Sequence, residues 1–363
     1  MSRTLRRASR PLAMIGVVAL TLGAAPTQAA SGTWAKQLPV SNEAQGLAAA
    51  PNGGAYVASS PTTFSGAANL FAYTSSGAQQ WSVQLAAAGA QVVGLVSDPA
   101  GNAYVALAFG ISDADGYPYT VQQVKKNGTL GWAATWHDAD ASLTGDAMAF
   151  FGGRVHVAQR DTATGDTLIR RFTVADGLPD TSWTLGSAQG PAARPIDLAV
   201  TANGAFLLDT SGKLIALKSD GSFRWSKQVP GKIDRGVGMA VDTTGISVEY
   251  EKDFLDLRLR RYTLAGVQKW DKDVPGSGTN LSTVAAAAGT TWAAGTVYPN
   301  DLVKAQIVVY RFDAAGKMRA KATVGTKQTD SGGFLLVSGA NLYVAGYVWV
   351  SGNAPLLIRF KAP

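Results

Sequence analysis

Short apolar runs alternate with Gly- and Asn-bearing turns along almost the whole chain. Between Gly94 and Trp132, two apolar runs flank the turn Asp98–Asn102, a third β-rich run follows, and a second Gly turn leads to the Trp. Apolar runs bounded by such turn residues are typical of strands, and two runs joined by a short Gly-containing turn predict a β-hairpin. The segment therefore predicts an antiparallel β meander.

The same pattern recurs seven times, at spacings of 41 to 52 residues. The first hairpins of the copies begin at Gly46, Gly94, Asp146, Asp197, Gly238, Thr283 and Gly333. The last turn of the copy leads to a Trp in five cases, Trp81, Trp132, Trp183, Trp225 and Trp270, and to Ala320 in the sixth. Repeats of about 40 to 50 residues with four strands each are typical of propeller blades. We predict an all-β, seven-bladed β-propeller of four-stranded antiparallel blades, formed as one domain by residues 31–363, with the Trp series packed between blades.

The seventh copy ends at Pro363 after its third strand. The segment Thr33–Leu38, TWAKQL, resembles the outer-strand segment Arg224–Val229, RWSKQV. We therefore expect the segment after residue 30 to supply the outer strand of the last blade. This closure leaves no unpaired sheet edge between the first and last blades.

Inner hairpins of the form D-x-x-G-N-x-Y-V-A and blades that end in G-x-x-x-W resemble the PQQ-like (quinoprotein-type) propeller repeats of bacterial extracytoplasmic proteins. The residues that carry the resemblance best are Asp98, Gly101, Asn102, Tyr104, Gly128 and Trp132. The quinone-dependent dehydrogenases that this family includes have eight blades, a disulfide of adjacent cysteines and calcium-binding carboxylates. This chain has seven copies and no cysteine. The resemblance therefore implies a binding or scaffold propeller, and binding of pyrroloquinoline quinone is not expected.

The first 30 residues resemble a signal peptide. Four arginines within Arg3–Arg10 precede the apolar stretch Leu12–Ala25, and Thr27–Ala29 ends in small residues. The apolar stretch is too short to cross a hydrocarbon core of about 30 Å. We predict cleavage of residues 1–30 and a secreted or periplasmic product.

The net charge and the absence of cysteine exclude several classes of function. The formal net charge of +7 includes the four leader arginines, so residues 31–363 carry +3, without a run of Lys or Arg. A nucleic-acid-binding role, which needs a clustered basic face, loses its support. The absence of cysteine excludes thiolate catalysis, thiolate metal sites and a lipid anchor on cysteine. We expect a monomer without a membrane anchor.

The connections between strands fall alternately on two faces of such a ring. The turns that join the first to the second strand and the third to the fourth are short and Gly-rich, and their side is named the turn face. The loops between second and third strands, and the links between blades, form the long-loop face, which carries most of the variation and is expected to bind a partner. Its expected exposed aromatics are Phe64, Tyr117, Tyr119, Phe254, Tyr298 and Trp349. Blade four has almost no loop, so a notch is expected there.

Polar residues gather where the first strands begin, at the mouth of the channel on the long-loop face. They are Glu43, Gln45, Gln91, Asp146, Arg194, Asp197, Asp234, Arg235 and Asp330. One interpretation is a solvated polar ring. The other is a small-ligand or metal site, in which Arg194 and Arg235 donate to an anion and the carboxylates act as acceptors or bases.

Few residues suggest metal or acid–base chemistry. Asp113 and Asp115, followed by Gly116, could contribute to a calcium site, although the Glu that completes an EF-hand loop is missing. His156 takes a slot that holds Tyr in other copies and is interpreted as a packing residue, whereas His137 is interpreted as a surface residue. Calcium is thus the one cofactor for which the sequence offers candidate ligands, and no other cofactor is predicted.

These observations favour a secreted, non-catalytic binding or scaffold propeller that engages a protein or a cell-envelope polymer through its long-loop face. The alternative is a propeller enzyme, a lyase or hydrolase, with a polar site at the channel mouth. The two alternatives predict different effects of an Ala substitution at a channel-mouth residue. A binding module retains its ligand, whereas an enzyme loses turnover by orders of magnitude while it stays folded.

Deletion of residues 31–38 tests the ring closure. We expect the shortened chain to lose at least about 3 kcal/mol of unfolding free energy, since removal of one packed Trp side chain alone costs about 3–5 kcal/mol. Thermal unfolding followed by circular dichroism, with residues 31–363 as the reference, measures the loss. Equal melting of the two chains would exclude a closing strand in this segment.

Overall fold

The computed structural model describes residues 34–38, 43–61, 66–86, 89–110, 116–138, 147–161, 164–186, 188–189, 193–231, 238–253, 256–274, 278–297, 306–324, 329–350 and 352–361. These residues form antiparallel strands and one short 3-10 turn, Pro51–Gly53. In these ranges no helix has the length and apolar character needed to cross a membrane.

The strands form seven four-stranded sheets, numbered here as blades 1 to 7 in chain order. The first, innermost strands are β2 (Glu43–Ala50), β6 (Ala90–Ser97), β10 (Ala147–Phe151), β14 (Pro195–Thr201), β18 (Met239–Asp242), β22 (Gly278–Ala287) and β26 (Thr329–Ser338). The second strands are β3 (Gly54–Ser60), β7 (Ala103–Phe109), β11 (Arg154–Arg160), β15 (Gly204–Asp209), β19 (Gly245–Asp253), β23 (Thr290–Val297) and β27 (Asn341–Val350). The third strands are β4 (Ala68–Tyr73), β8 (Tyr117–Val124), β12 (Thr167–Thr173), β16 (Lys213–Leu217), β20 (Asp256–Tyr262), β24 (Gln306–Phe312) and β28 (Gly352–Lys361). The outer strands are β5 (Gln79–Ala86), β9 (Leu130–Asp138), β13 (Pro179–Leu185), β17 (Phe223–Gln228), β21 (Gln268–Asp273), β25 (Met318–Val324) and, in blade 7, β1 (Trp34–Gln37).

The first strands contact one another in a closed circuit, each against the first strand of the next blade and β26 against β2. The seven sheets therefore form a ring, and the predicted seven-bladed all-β propeller is confirmed. In blade 7 the sheet order is β1-β28-β27-β26, and Trp34 lies opposite Arg359. The two ends of the described chain thus meet in one sheet.

Burial follows the place of each strand in its blade. The second strands β3, β7 and β15 are buried along nearly their whole length and are rich in Ala, Val, Leu and aromatic residues. They lie between two neighbouring blades, so both faces pack against protein. The outer strand β5, in contrast, alternates exposed and half-buried residues because one of its faces meets solvent.

Six Trp–Gly contacts join neighbouring blades. The indole of each outer-strand Trp lies against the Gly of the turn between third and fourth strands in the next blade, and a Cβ on that Gly would meet the indole ring within 2.2–3.0 Å. The pairs are Trp34–Gly77, Trp81–Gly128, Trp132–Gly177, Trp183–Gly221, Trp225–Gly266 and Trp270–Gly316. Several indoles also donate to a carbonyl of that turn, as Trp81 does to Lys126 at 2.9 Å. The predicted interblade role of the Trp series is confirmed.

The exception at Ala320 has a structural cause. In blade 7 the third strand is β28 and the outer strand is β1, which belong to opposite ends of the chain. No turn joins these two strands, so blade 6 has no Gly turn against which a Trp could pack. Ala320, opposite Arg311, occupies the Trp position.

A pair of Gly substitutions measures the contribution of one Trp–Gly contact to stability. Gly128 and Gly152 both have positive φ, +86° and +60°, but a Cβ at Gly128 would lie 2.9 Å from the Trp81 ring, whereas one at Gly152 has nothing within 4 Å. Both Ala variants carry backbone strain. We expect Gly128→Ala to lose about 1–3 kcal/mol more than Gly152→Ala in chemical denaturation, because only Gly128→Ala overpacks the seam. Equal losses would contradict the role of the contact.

Candidate functional site

Six of the nine predicted channel-mouth residues are described. Glu43 and Gln45 lie in β2, Gln91 lies in β6, Arg194 directly precedes β14, and Asp197 lies in β14. These five are half-buried at the ends of first strands that point to the long-loop face. Asp330 lies in β26, opposite Val348. Asp146, Asp234 and Arg235, together with Asp113 and Asp115, lie outside the described residues, so a complete ring stays a prediction.

Bulges shape this end of the first strands. Gln45 is the extra residue of a bulge between Ala44 and Gly46 in β2, and β14 has a similar irregularity between Pro195 and Asp197. A bulge bends its strand and re-aims the side chains beside it. The bulges therefore set the directions of Gln45 and Asp197 at the channel mouth.

Asp197 links two first strands. Its Oδ2 accepts a hydrogen bond from the backbone N–H of Met239 in β18 at 2.7 Å. Burial raises the pKa of this carboxyl to about 6, although hydrogen bonds from the Met239 and Leu198 amides oppose the shift. Asp197 thus holds blade 4 to blade 5 and at the same time titrates near neutral pH.

The connection between the second and third strands of blade 4 is a short turn held by Asp209, and the predicted notch stays a prediction because most of the other loops lie outside the described residues. The turn from β15 to β16 consists of Thr210–Gly212. The fully buried Asp209 carboxylate accepts the backbone N–H groups of Ser211 at 2.9 Å and Lys213 at 2.8 Å. Its other oxygen accepts the Ala193 N–H at 3.2 Å, which fixes the backbone beside Arg194.

His156 is buried, as its predicted packing role requires. The ring is 3% exposed and lies 5.5 Å from the Trp183 ring, centroid to centroid. Burial and the nearby Arg171 and Arg154 lower the pKa of His156 to about 4, so the imidazole is neutral at physiological pH. Among the described residues, no group of three or more His, Cys, Asp or Glu side chains is placed to hold a metal ion.

Glu249 in β19 is a buried acid that the sequence pattern did not identify. The residue is completely buried, and neither carboxylate oxygen has a hydrogen-bond partner in the part of the chain that the structure describes. Burial raises the pKa of Glu249 well above its ordinary value. A comparison of the copies would have identified Glu249, because the other blades have a small or apolar residue at this position. These residues are Ala58, Ala106, Ala158, Leu208, Ala294 and Ala345.

Arg261 is a second buried ionisable residue in the same blade, and unlike Glu249 it has several polar partners. Its guanidinium is fully buried, forms an ion pair with Asp242 at 2.7 Å, and donates to Ser247, Thr244 and Thr291. Ser247, which lies opposite Arg261, stands where Tyr56, Tyr104 and Tyr343 stand in other blades, so a small hydroxyl side chain faces the guanidinium here. This network joins blades 5 and 6, and only the Nε atom of Arg261 is without a hydrogen-bond partner among the described residues.

The exposed large apolar side chains of the described residues all lie on the turn face. Each is 38–63% exposed, and each lies in or directly beside a turn between first and second or third and fourth strands. They are Leu130, Phe151, Leu178, Val267 and Met318. On the long-loop face, Tyr119 is buried and stacks on Trp136, contrary to its expected exposure. Phe64, Phe254 and Tyr298 lie outside the described residues.

Carboxylates of the turn face are occupied by their own turns. Asp176 accepts the Leu178 N–H at 3.1 Å, Asp220 the Ser222 N–H at 2.9 Å, and Asp313 the Lys317 N–H at 2.9 Å. The pKa of all three carboxyls is lowered, chiefly by the Thr173 hydroxyl at Asp176, the Ser222 hydroxyl at Asp220 and the Lys317 N–H at Asp313, with the other N–H groups adding to the effect. Exposed cations stand on the same face, namely Lys125, Lys126, Lys218, Arg224, Lys269 and Lys317. The face therefore combines apolar side chains with accessible positive charge.

Comparisons with known proteins agree on the fold. No protein-family model matches the chain, and no curated protein matches it. Among solved structures, BamB from Moraxella catarrhalis superposes with a TM-score of 0.52 at 16% identity, over 88% of this chain and 85% of that one. Sqt1 from Saccharomyces cerevisiae gives 0.55 at 13% identity, over 91% and 98%. A chain of the mitotic checkpoint complex gives 0.60 at 12% identity, over 100% and 97%.

Identities this low show the fold alone. The chain is a seven-bladed β-propeller, and its likeness to PQQ-like repeats holds at the level of the fold, in agreement with the BamB match.

The buried Glu249 predicts a pH-dependent stability. Because its folded-state pKa lies above the unfolded value of 4.5, the native state binds the proton more tightly, and stability falls as the pH rises from 4.5 toward the folded pKa. We expect Glu249→Leu to be more stable than the wild type at pH 8 by about 1–3 kcal/mol, the cost of an unpartnered buried polar group. Urea denaturation at pH 5 and pH 8 measures the difference.

Glu249→Gln is the matched control, since it removes the titration but keeps a polar group in the slot. Asp197 has a raised pKa of the same sign in every variant, so differences from the wild type report Glu249 alone. A wild type and a Leu variant with parallel pH profiles would contradict the raised pKa.

Proposed function

We propose that this protein is a non-catalytic, extracytoplasmic scaffold propeller that binds a protein partner through its turn face. The observation that carries the proposal is the placement of the exposed apolar side chains Leu130, Leu178, Val267 and Met318. They recur at the turns between third and fourth strands of four blades and so form a broken ring at one rim. Single exposed apolar residues are ordinary, whereas their repetition around one face is typical of an interaction surface.

The rigidity of the ring supports this proposal. The Trp–Gly contacts hold these turns against the neighbouring blades, so the apolar side chains stand on a fixed frame. A preorganised surface loses little conformational entropy when a partner binds. The similar chain of the mitotic checkpoint complex belongs to a multiprotein assembly, which adds support from analogy of fold.

The channel mouth supports the second candidate function, an extracytoplasmic lyase or hydrolase. Asp197, with a pKa of about 6, has the proton affinity that suits a general acid or base near neutral pH. Its hydrogen bond to the Met239 N–H already occupies one oxygen. An enzyme loses turnover in Asp197→Asn while it stays folded, whereas a scaffold retains partner binding.

Photocrosslinking distinguishes the two faces. A photoreactive amino acid is placed at Leu178 or Val267 on the turn face, or at Tyr117 on the long-loop face, and the protein is irradiated in the cell envelope of its own host. We expect discrete protein adducts from the turn-face positions, at least about tenfold above those from Tyr117, because a contact at the rim brings the probe within reach.

Leu178→Asp with the probe at Val267 should reduce the adduct severalfold, and Ser219→Asp, an exposed polar position on the same face, is the control. Adducts from Tyr117 alone would support the long-loop face instead. The absence of adducts from every position would exclude a stable protein partner.

A further inference from the structure

The seam between blades 4 and 5 contains an open cleft of about 440 Å³. Its walls come from the outer strand β17 of blade 4 and from β20 and the following turn of blade 5. The lining residues are Lys227, Gln228, Arg260, Tyr262, Ala265, Gly266, Val267 and Gln268. The exposed Val267 lies at its edge, so the cleft opens beside the turn face.

Lys227 and Arg260 place two cations from different blades in this cleft. The repeat shows how unusual this pair is, because the equivalent positions at the seam of blades 3 and 4 are the buried apolar residues Leu185 and Ile215. At the seam of blades 5 and 6 the position of Arg260 is held by the buried Tyr310. Like charges that face one another destabilise a seam unless an anion lies nearby.

One carboxylate, Asp271, partly compensates the pair. Arg260 donates to it through Nε at 2.7 Å, and Arg258 donates to it at 2.8 Å. The Nη2 atom of Arg260 pairs with the same carboxylate, and among the described residues its Nη1 atom donates to the Tyr262 hydroxyl at 3.5 Å. Lys227 forms no ion pair with any described residue. Asp273 also pairs with Arg258, so the three cations Lys227, Arg258 and Arg260 against the two carboxylates leave one net positive charge around the cleft, which suits a monoanion.

The Trp–Gly contact at this seam is incomplete. Trp34, Trp81, Trp132 and Trp270 donate their indole N–H to a carbonyl of the next turn. The Trp225 ring lies against Gly266, a residue of the cleft, and its buried N–H has no acceptor among the described residues. A buried donor without a partner costs free energy. The blade 5 turn is therefore held to blade 4 by packing alone at this point.

We propose that the cleft binds an acidic peptide segment of the protein partner. The carboxylate of a Glu or Asp side chain lies between Lys227 and Arg260, and an apolar side chain beside it packs on Val267. Charge-assisted hydrogen bonds from Lys and Arg favour a carboxylate, and the Gln268 amide at the edge matches a peptide backbone. The neighbouring Asp271 disfavours a dianion such as phosphate. This inference rests on the proposed function and specifies its partner.

The test uses the tetrapeptide acetyl-Glu-Leu-Glu-Leu-amide and ¹⁵N NMR of residues 31–363. We expect saturable shifts of the Lys227, Gln228, Gly266 and Val267 amides, at least tenfold weaker binding by Lys227→Glu, and weaker binding at high salt. Lys272→Glu is the matched control, since Lys272 is the exposed equivalent of Lys227 in blade 5 and is absent from the cleft. Its affinity should equal that of the wild type.

Two further ligands test which chemical groups the cleft recognises. Equal binding of acetyl-Gln-Leu-Gln-Leu-amide would overturn the role of the carboxylate, and inorganic phosphate that displaces the peptide at equal concentration would overturn a peptide site. Shifts confined to other blades would overturn the cleft.

The crosslinking experiment separates this inference from the proposed function. Wild-type adducts that persist unchanged in Lys227→Glu contradict the cleft and retain the scaffold, whereas a wild type without adducts contradicts the scaffold.

Discussion

The contact between an outer-strand Trp and the Gly turn of the next blade is the interaction on which the rest of this ring depends. A four-stranded blade cannot bury both of its faces alone, so each blade is stable only against its neighbours. The Trp supplies a large apolar surface, and the Gly supplies the positive φ and the missing Cβ that admit the indole. The departure at Ala320 follows the same rule, because the third and outer strands of blade 7, β28 and β1, are not consecutive in the chain and no turn joins them. The Trp–Gly contacts therefore both stabilise the ring and fix the positions of the surface turns.

Close packing at the seams makes every polar residue there consequential. Arg261 is buried with an ion pair to Asp242 and three hydroxyl partners, so its charge is compensated inside the seam. Glu249, two residues from Ser247 in the same strand, has no hydrogen-bond partner among the described residues and remains protonated over a wider pH range. Blade 5 therefore differs from the other blades on both of its sides, with these residues toward blade 6 and the cationic cleft toward blade 4.

The same frame favours a binding role. Turns held by the Trp–Gly contacts present apolar side chains at a rim, and exposed lysines and arginines accompany them, while three carboxylates of these turns accept local N–H groups. Such a surface suits a partner with apolar and acidic residues. The fold alone does not select this role, because propellers support many functions. The distribution of side chains around the ring is what favours it.

The sequence by itself determined the repeat, the number of blades, the place of the Trp series and the packing role of His156, because strand periodicity, Gly turns and aromatic positions are local signals. It also located Asp197 at a strand end, but not its bond to Met239, which depends on two strands meeting across a seam. The isolation of Glu249, the pairing of Lys227 with Arg260 and the burial of Tyr119 were decided only by the tertiary structure. Each depends on the side chains that another strand presents, as Trp136 does for Tyr119 within blade 2 and as Arg260 of blade 5 does for Lys227 of blade 4, and local patterns do not report such contacts.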